Sequence, residues 1–187
     1  RQKEDLLVEN FQTAIKTNLQ KDSAGALAAL NSFIGYVGNS SNLILDPDLD
    51  TYYLMDAGIY GIPQILNRIA QMQELYLSNV KNLAKLSDDE KLKFSVLDEY
   101  IRKGDLARVR DGINTAIVED KYFNSENSSL QKKGAAEIAK LEPMIVEYLD
   151  LIKRSLNNEA VNASDVSLKH KQLSGVIGTI GNSTITA

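Results

Sequence analysis

Apolar side chains recur every three or four residues along most of the chain, which is the spacing of one face of an α-helix. The first stripe contains Leu7, Phe11, Ile15 and Leu19, and it resumes with Ala26, Leu30, Phe33 and Val37. Because the two halves keep nearly the same phase, we predict one long amphipathic helix over residues 4–41, with a bend near Asp22–Gly25.

The second predicted helix spans residues 47–86. Asp46 is positioned to cap it, and Pro47 to occupy its first helical position, so both residues are assigned structural roles. Pro63 lies in the middle of the apolar stripe. A proline removes one helical hydrogen bond, but the stripe resumes beyond it, so we expect a kink there and not an end.

The third predicted helix spans residues 87–120 and begins with a capping box. Ser87 is the cap, and Glu90 follows three residues later. The apolar stripe changes phase at Gly104, which predicts an irregularity in the helix at that point. The polar segment 120–129 is the clearest loop of the chain.

A fourth helix is predicted over residues 129–157, with Pro143 inside its pattern, and a short fifth one over 164–180, capped by Ser164 and Asp165. Its end carries three glycines at three-residue spacing, Gly175, Gly178 and Gly181. Because glycine is a poor helix former, we expect fraying after about residue 180. A small-residue face that packs on a partner helix is the alternative.

These elements predict an all-α fold, an elongated up-and-down antiparallel bundle of about four long helices and a short C-terminal one, in a single domain over residues 1–187. The long helices would measure roughly 45–60 Å. If all five helices cross the bundle, the termini lie at opposite ends and an N-terminal helix is missing. If the fifth only continues the fourth, the termini share one end, which suits a domain between two membrane spans.

Composition excludes several function classes. The 21 basic residues are spread among 25 acidic ones, giving a formal charge of −4, whereas a nucleic-acid surface shows clustered Lys and Arg. Without Cys there is no disulfide and no Cys-bearing metal site, and one His excludes a multi-His metal site. A ferritin-like bundle needs two Glu-x-x-His pairs, but the residue three before His170 is Ser167.

No nucleophile–base pair or phosphate-binding loop is visible, so we predict no enzymatic role and no cofactor. The chain holds no run of 18 apolar residues and no signal-peptide pattern. It opens on Arg1 and not on Met, so we expect a fragment of a larger protein; if that protein is bound to a membrane, its spans lie outside this chain.

Residues 41–56 read SNLILDPDLDTYYLMD. This segment resembles one found in extracytoplasmic helical sensor domains of bacterial transmembrane receptors, most commonly methyl-accepting chemotaxis proteins, and also some histidine kinases and diguanylate cyclases. Those proteins carry SNLILDPDLDSYYLMD, followed by an amphipathic helix that Leu-Pro or Ile-Pro interrupts. Here Thr51 replaces the usual Ser, and Ile62-Pro63 matches the interruption. The likeness extends loosely to about residue 80.

The resemblance implies the periplasmic sensor domain of a homodimeric inner-membrane chemoreceptor. One span would precede residue 1, and another would follow residue 187 and lead to a cytoplasmic signalling module. A small-molecule ligand or a periplasmic partner protein would displace the helices that lead to the second span. The alternatives are a sensor domain of a histidine kinase or diguanylate cyclase, or a cytoplasmic helical scaffold or adaptor. About 20 apolar residues on both flanks would favour a receptor.

Four residues of the segment are candidates for ligand binding: Asp50, Tyr52, Tyr53 and Asp56. A tyrosine offers an aromatic face and a hydroxyl, and a carboxylate could hold an amine. The structural alternative is that one Tyr packs into the bundle while the other is half exposed. Asp46, Asp48 and Asp50 have the spacing of a calcium-binding loop, but its Gly and final Glu are missing, so capping is favoured and no metal is predicted.

Three weaker candidates remain. Kinks at Pro63 and Pro143, both assigned structural roles, would open a cavity between helices if they fell at similar heights. Arg108 and Arg110 flank Val109 and could bind an anion. His170 has no acid within four residues and is predicted to be solvated.

Overall fold

The computed structural model describes residues 8, 9, 11–13, 16, 23–40, 49–123 and 129–185. Within these ranges the backbone is helical apart from short turns, and no strand occurs. The predicted all-α helical bundle is therefore confirmed. The segment that contains Asp46 and Pro47 lies outside the described residues.

Helix α1 spans Ser23–Ser40. The first long helix consists of α2 (Leu49–Met55), a π-helical segment π1 (Asp56–Gly61) and α3 (Ile62–Asn79). The second long helix consists of α4 (Asp88–Glu99), a π-helical segment π2 (Tyr100–Asp105) and α5 (Leu106–Phe123). Two further helices follow, α6 (Ser129–Leu156) and α7 (Ala163–Ile185).

The first predicted helix, 4–41, is wrong, because the chain reverses direction within it. Residues 8, 9, 11–13 and 16 are helical, and the ring of Phe11 stacks on the ring of Phe33 with centroids 4.8 Å apart. In one continuous helix these two residues would be separated by about 33 Å, at a rise of 1.5 Å per residue. Phe11 therefore lies on a separate helical pass, which the short connection to α1 makes antiparallel to it.

Neighbouring helices of the bundle are antiparallel. Ion pairs join the two long helices through Asp56–Arg108 and Arg68–Asp105, the second long helix to α6 through Arg110–Glu142 and Arg102–Asp150, and α6 to α7 through Glu147–Lys169. In each case where two pairs join the same helices, one residue number rises as the other falls. Helix α7 closes the ring against the first long helix, since Gln73 bonds to Ser167 and α7 also contacts π1 and α2.

Helix α1 lies on the outside of this ring, against π1 and α3. A Cβ atom built on Gly38 would meet the Ile59 side chain at 3.3 Å, so the end of α1 lies beside π1. The helical pass that contains Phe11 is antiparallel to α1, so Val8, at its beginning, lies near that same end. The later part of α7 also reaches π1, so Val8 and Ile185 lie towards one end of the bundle.

The π-helical segments explain how the chain passes two irregular points. The Ile62 N–H donates to the carbonyl of Ala57, five residues back, and Pro63, which has no N–H, follows directly. The first long helix thus continues through Pro63, as predicted. The Leu106 N–H likewise donates to the carbonyl of Ile101 in π2, which confirms the predicted irregularity at Gly104.

Several predicted boundaries need correction, including the end of the second long helix, which continues to Phe123 so that residues 120–123 of the predicted loop are helical. The first long helix ends at Asn79 and not at residue 86, because the side chains of Ser78 and Asn79 both donate to the Leu75 carbonyl and compete with the backbone ladder. A 3-10 turn, Leu83–Lys85, then leads into α4.

The C-terminal helix is longer than predicted, since α7 continues to Ile185 without an interruption near residue 180. Four buried side chains along one face hold it on the core: Val166, Leu173, Ile177 and Ile180. Among the described residues, nothing lies within 4 Å of a Cβ built on Gly175 or Gly178, so these glycines make no close helix packing there. The helix begins at Ala163, which places Ser164 inside the first turn and not at the cap.

The capping box of α4 forms as predicted. The Ser87 hydroxyl accepts a hydrogen bond from the Glu90 N–H at 3.3 Å, and the Glu90 carboxylate accepts one from the Ser87 N–H at 2.8 Å. The pKa of Glu90 is lowered, because its carboxylate accepts hydrogen bonds from the Ser87 hydroxyl and from the Ser87 N–H, and both favour the charged form.

Replacing the cap residue, Ser87→Ala, is expected to lower the free energy of unfolding by about 1 kcal/mol, because an N–H of the first turn loses its acceptor. Urea denaturation followed by circular dichroism measures the change. Ser164→Ala is the matched control and should leave stability within about 0.5 kcal/mol, since an exposed serine inside a first turn caps nothing. Equal losses in the two variants would contradict the assignment.

Candidate functional site

The residues predicted to bind a ligand lie on α2 and at the start of π1, against α5. Oδ1 of Asp50 accepts a hydrogen bond from the Thr51 N–H at 2.8 Å. The rings of Tyr52 and Tyr53 meet edge to face with centroids 5.4 Å apart. Tyr52 is exposed and Tyr53 is partly buried.

Asp56 is engaged by an arginine of the second long helix. Nε of Arg108 donates to Oδ2 of Asp56 at 3.0 Å, and Nη2 donates to Oδ1 at 2.5 Å. This bidentate pair raises the pKa of Arg108, because the hydrogen bonds to Asp56 favour the charged guanidinium. Both oxygens of Asp56 therefore serve the contact between the long helices.

A second pair that sequence reasoning missed joins the same two long helices, with its aspartate about one turn before Arg108 on the second one. The Arg68 guanidinium donates to Oδ1 of Asp105, whose side chain is only 9% exposed. The central carbon of that guanidinium lies 4.6 Å from the centroid of the Tyr100 ring. Oδ2 of Asp105 is buried without a hydrogen-bond partner among the described residues. Burial raises the pKa of Asp105, although the neighbouring Arg68 and Arg108 oppose the shift.

We call this region the π-junction, defined by π1, π2 and the side chains of Asp56, Arg68, Asp105 and Arg108. The two long helices approach each other closely here, since a Cβ built on Gly61 would lie 2.6 Å from Cγ2 of Val109. Its four named side chains carry two positive and two negative charges, which alternate in sign across the two helices. Arg110, the other anion-binding candidate, likewise pairs with Asp111 and Glu142.

A polar layer crosses the core at a different height. The Tyr148 hydroxyl donates to Oε1 of Gln73 at 3.1 Å, and Nε2 of Gln73 donates to the Ser167 hydroxyl at 3.2 Å. The hydroxyls of Tyr76 and Ser155 are hydrogen-bonded at 3.1 Å. This layer ties α3, α6 and α7 together.

His170 packs on this layer, so the prediction that it is solvated is wrong. Its ring centroid lies 6.0 Å from that of Tyr148, and the side chain is half-buried. Burial lowers the pKa of His170, since the apolar surroundings disfavour the imidazolium.

A cleft of about 270 Å³ opens between α3, α4 and α6. Met72, Phe94, Ser95, Asp98, Glu99, Leu149, Ile152, Lys153 and Leu156 line it. Pro63 and Pro143 do lie at similar heights, next to the contacts of α5 with Gly61 and Glu142, but the cleft lies further along the bundle. The Pro143 ring is exposed, so it opens no cavity in the core. No sequence signal marks the cleft, because it arises from the spacing of three helices.

In the described ranges, no three His, Cys, Asp or Glu side chains are grouped so that they could hold a metal ion. None of the described helices combines the length and the apolar character that crossing a membrane requires. Comparison of the chain with protein-family models, with curated proteins and with solved structures found no match.

Proposed function

We propose that this chain is the periplasmic signal-sensing domain of a homodimeric bacterial chemoreceptor. It would relay the binding of a small molecule or a periplasmic partner to a cytoplasmic signalling module by helix displacement. The resemblance of residues 41–56 indicates this class of receptor. The observation that supports it best is the placement of Val8 and Ile185 towards one end of the bundle, because spans that continue from both would enter the same face of a membrane.

The π-junction offers a mechanism for the displacement. A π-helical turn holds one more residue than an α-helical turn, so when it moves along a helix the residues that it passes shift by one position, about 1.5 Å, against the facing helix. Packed helices change between discrete arrangements and not continuously, which suits a two-state relay. A ligand drives such a relay only if it binds one arrangement more tightly than the other.

The same geometry would serve a histidine kinase or a diguanylate cyclase, in which only the cytoplasmic module differs. A non-sensing scaffold is the second candidate. The observation in its favour is an exposed apolar stripe at four-residue spacing on the second long helix, formed by Leu92, Val96 and Tyr100. Such a stripe on an exposed face is typical of protein-binding surfaces.

The test places the chain between the two membrane spans of a receptor with a measurable kinase output. Arg108→Glu reverses one charge beside Asp56, and we expect it to change the basal output about threefold, which corresponds to roughly 0.6 kcal/mol of an exposed ion pair. The double variant Asp56→Arg, Arg108→Glu should restore the output. Lys140→Glu, at an exposed site on α6, is the control that should not change it.

Two results would contradict the sensor proposal. One is an output that ignores the charge reversal in a receptor that is folded and inserted. The other is a topology reporter that places the two ends of the chain on opposite sides of the membrane. The scaffold would then be favoured.

A further inference from the structure

The floor of the cleft is apolar, and its side chains come from three helices: Met72, Phe94, Leu149, Ile152 and Leu156. The first four are almost completely buried from solvent, yet the helices leave a volume of about 270 Å³ between them. A cavity of about 150 Å³ with apolar walls already accepts benzene. The cleft therefore has room for a single ring and a polar substituent.

The rim of the cleft carries charges of both signs, but they are not equally available. Asp98 accepts two hydrogen bonds from Nε of Arg102, each at 3.0 Å, and Glu99 pairs with Lys103 at 2.6 Å. Within the described residues, Lys153 has no ion-pair partner. The rim thus presents two ion-paired carboxylates on α4 and, on α6, one ammonium group without an ion-pair partner among the described residues.

We propose that the cleft binds a small monocarboxylate with an apolar body. The apolar body lies on the floor, and the carboxylate pairs with Lys153 at the rim. A cationic ligand is disfavoured, because it would have to displace Arg102, which is held between Asp98 and Asp150. The role of this ligand as a signal rests on the proposed function, whereas its binding to the cleft is independent of that function.

The position of the cleft gives binding a mechanical consequence. Its walls belong to both long helices and to α6. A ligand that fills it contacts all three at once and favours the arrangement in which they enclose it best. Occupancy of the cleft would therefore bias the π-junction, because α3 and α4 continue directly into π1 and π2.

Isothermal titration calorimetry on this chain tests the proposal with benzoate as the probe. We expect saturable binding of benzoate, and about threefold weaker binding of benzyl alcohol, which has the ring without the charge. Lys153→Met should weaken benzoate about threefold as well, because it keeps the stem and removes the charge of an exposed lysine. Lys140→Met is the matched control, since Lys140 is an exposed lysine of the same helix outside the cleft, and it should bind like the wild type.

A second variant blocks the cleft without touching the buried core. Ser95 lines the cleft from an exposed position, so Ser95→Phe should abolish benzoate binding while the melting temperature is unchanged. The proposal is overturned if the wild type does not bind benzoate, if benzylamine binds more tightly than benzoate, or if Lys153→Met and Lys140→Met have the same effect. Benzoate binding without any change in receptor output would instead count against the sensor function and leave the site standing.

Discussion

The Arg68→Met variant is expected to lose about 3 kcal/mol of unfolding free energy at pH 7, the largest effect of a single substitution that we predict. Arg68 supplies the hydrogen bond to the Asp105 carboxylate, which is 9% exposed. Methionine keeps most of the apolar stem but leaves a buried charge without its partner. Removing one member of a buried pair is more harmful than removing both, because the remaining charge keeps its desolvation penalty.

This loss should depend on pH, with a sign set by Asp105. Its pKa is raised in the folded protein by burial, so the folded state holds this proton at pH values where the unfolded chain has released it. Stability therefore falls as pH rises from the unfolded pKa, about 3.9, through the folded pKa. Without Arg68 the folded pKa rises further, so the difference from wild type should be largest near pH 7 and shrink towards pH 4.

Urea denaturation of both proteins between pH 4 and pH 7.5 measures this dependence. Arg154→Met is the matched control: Arg154 pairs with Glu159 at the surface at 2.7 Å, where an ion pair contributes less than about 1 kcal/mol. Adding Asp105→Leu to Arg68→Met should recover most of the stability, because no buried charge is left. A loss that stays constant across the pH range would show that Asp105 is not its cause.

The second large effect is expected from Gly61→Ala, which should lower the free energy of unfolding by about 2 kcal/mol. A Cβ atom at this position would lie 2.6 Å from Cγ2 of Val109, far inside van der Waals contact. Val109 is fully buried and β-branched, so its side chain has little freedom to move away. The long helices must then separate or the π-junction must deform.

Two variants isolate the clash. Adding Val109→Ala removes the colliding methyl group, so the double variant should lose less stability than the sum of the two single variants. Gly178→Ala is the control, because no described residue lies within 4 Å of its added Cβ. Alanine is the better helix former, so this variant should gain up to about 1 kcal/mol of stability. Strictly additive losses at positions 61 and 109 would contradict the close approach.

Periodicity predicted most of the helices, because each one buries a single face in a common core. It failed at the N-terminus because Phe11 and Phe33 face each other from antiparallel passes, and an apolar stripe that keeps its phase is the same in one straight helix and in a helical hairpin. Gly104 was found because π2 inserts a residue and shifts the stripe. Pro63 marked the region of π1 without indicating the wider turn.

The candidate site was less predictable than the fold. Asp56 was singled out from its segment, but its partner Arg108 is distant in the chain, and only the register of two antiparallel helices brings them together. That register depends on the end of one helix at Asn79 and the start of the next after Ser87. An error of a few residues in a predicted helix end therefore prevents the register from being predicted. Asp105 gave no signal at all, since an acidic residue beside Gly104 reads as a solvated position.

The layer formed by Tyr148, Gln73 and Ser167 has a consequence for how the bundle can move. Helices with purely apolar contacts can shift along one another by a turn and pack again. An axial shift at this layer would instead leave the Tyr148 hydroxyl and the Gln73 amide buried without hydrogen-bond partners. Axial gliding is thus resisted at this height, while the more exposed ion pair between Asp56 and Arg108 can re-form after a small shift. We expect this layer to act as a pivot, so that a displacement of a helix at one end of the bundle tilts the same helix at the other end.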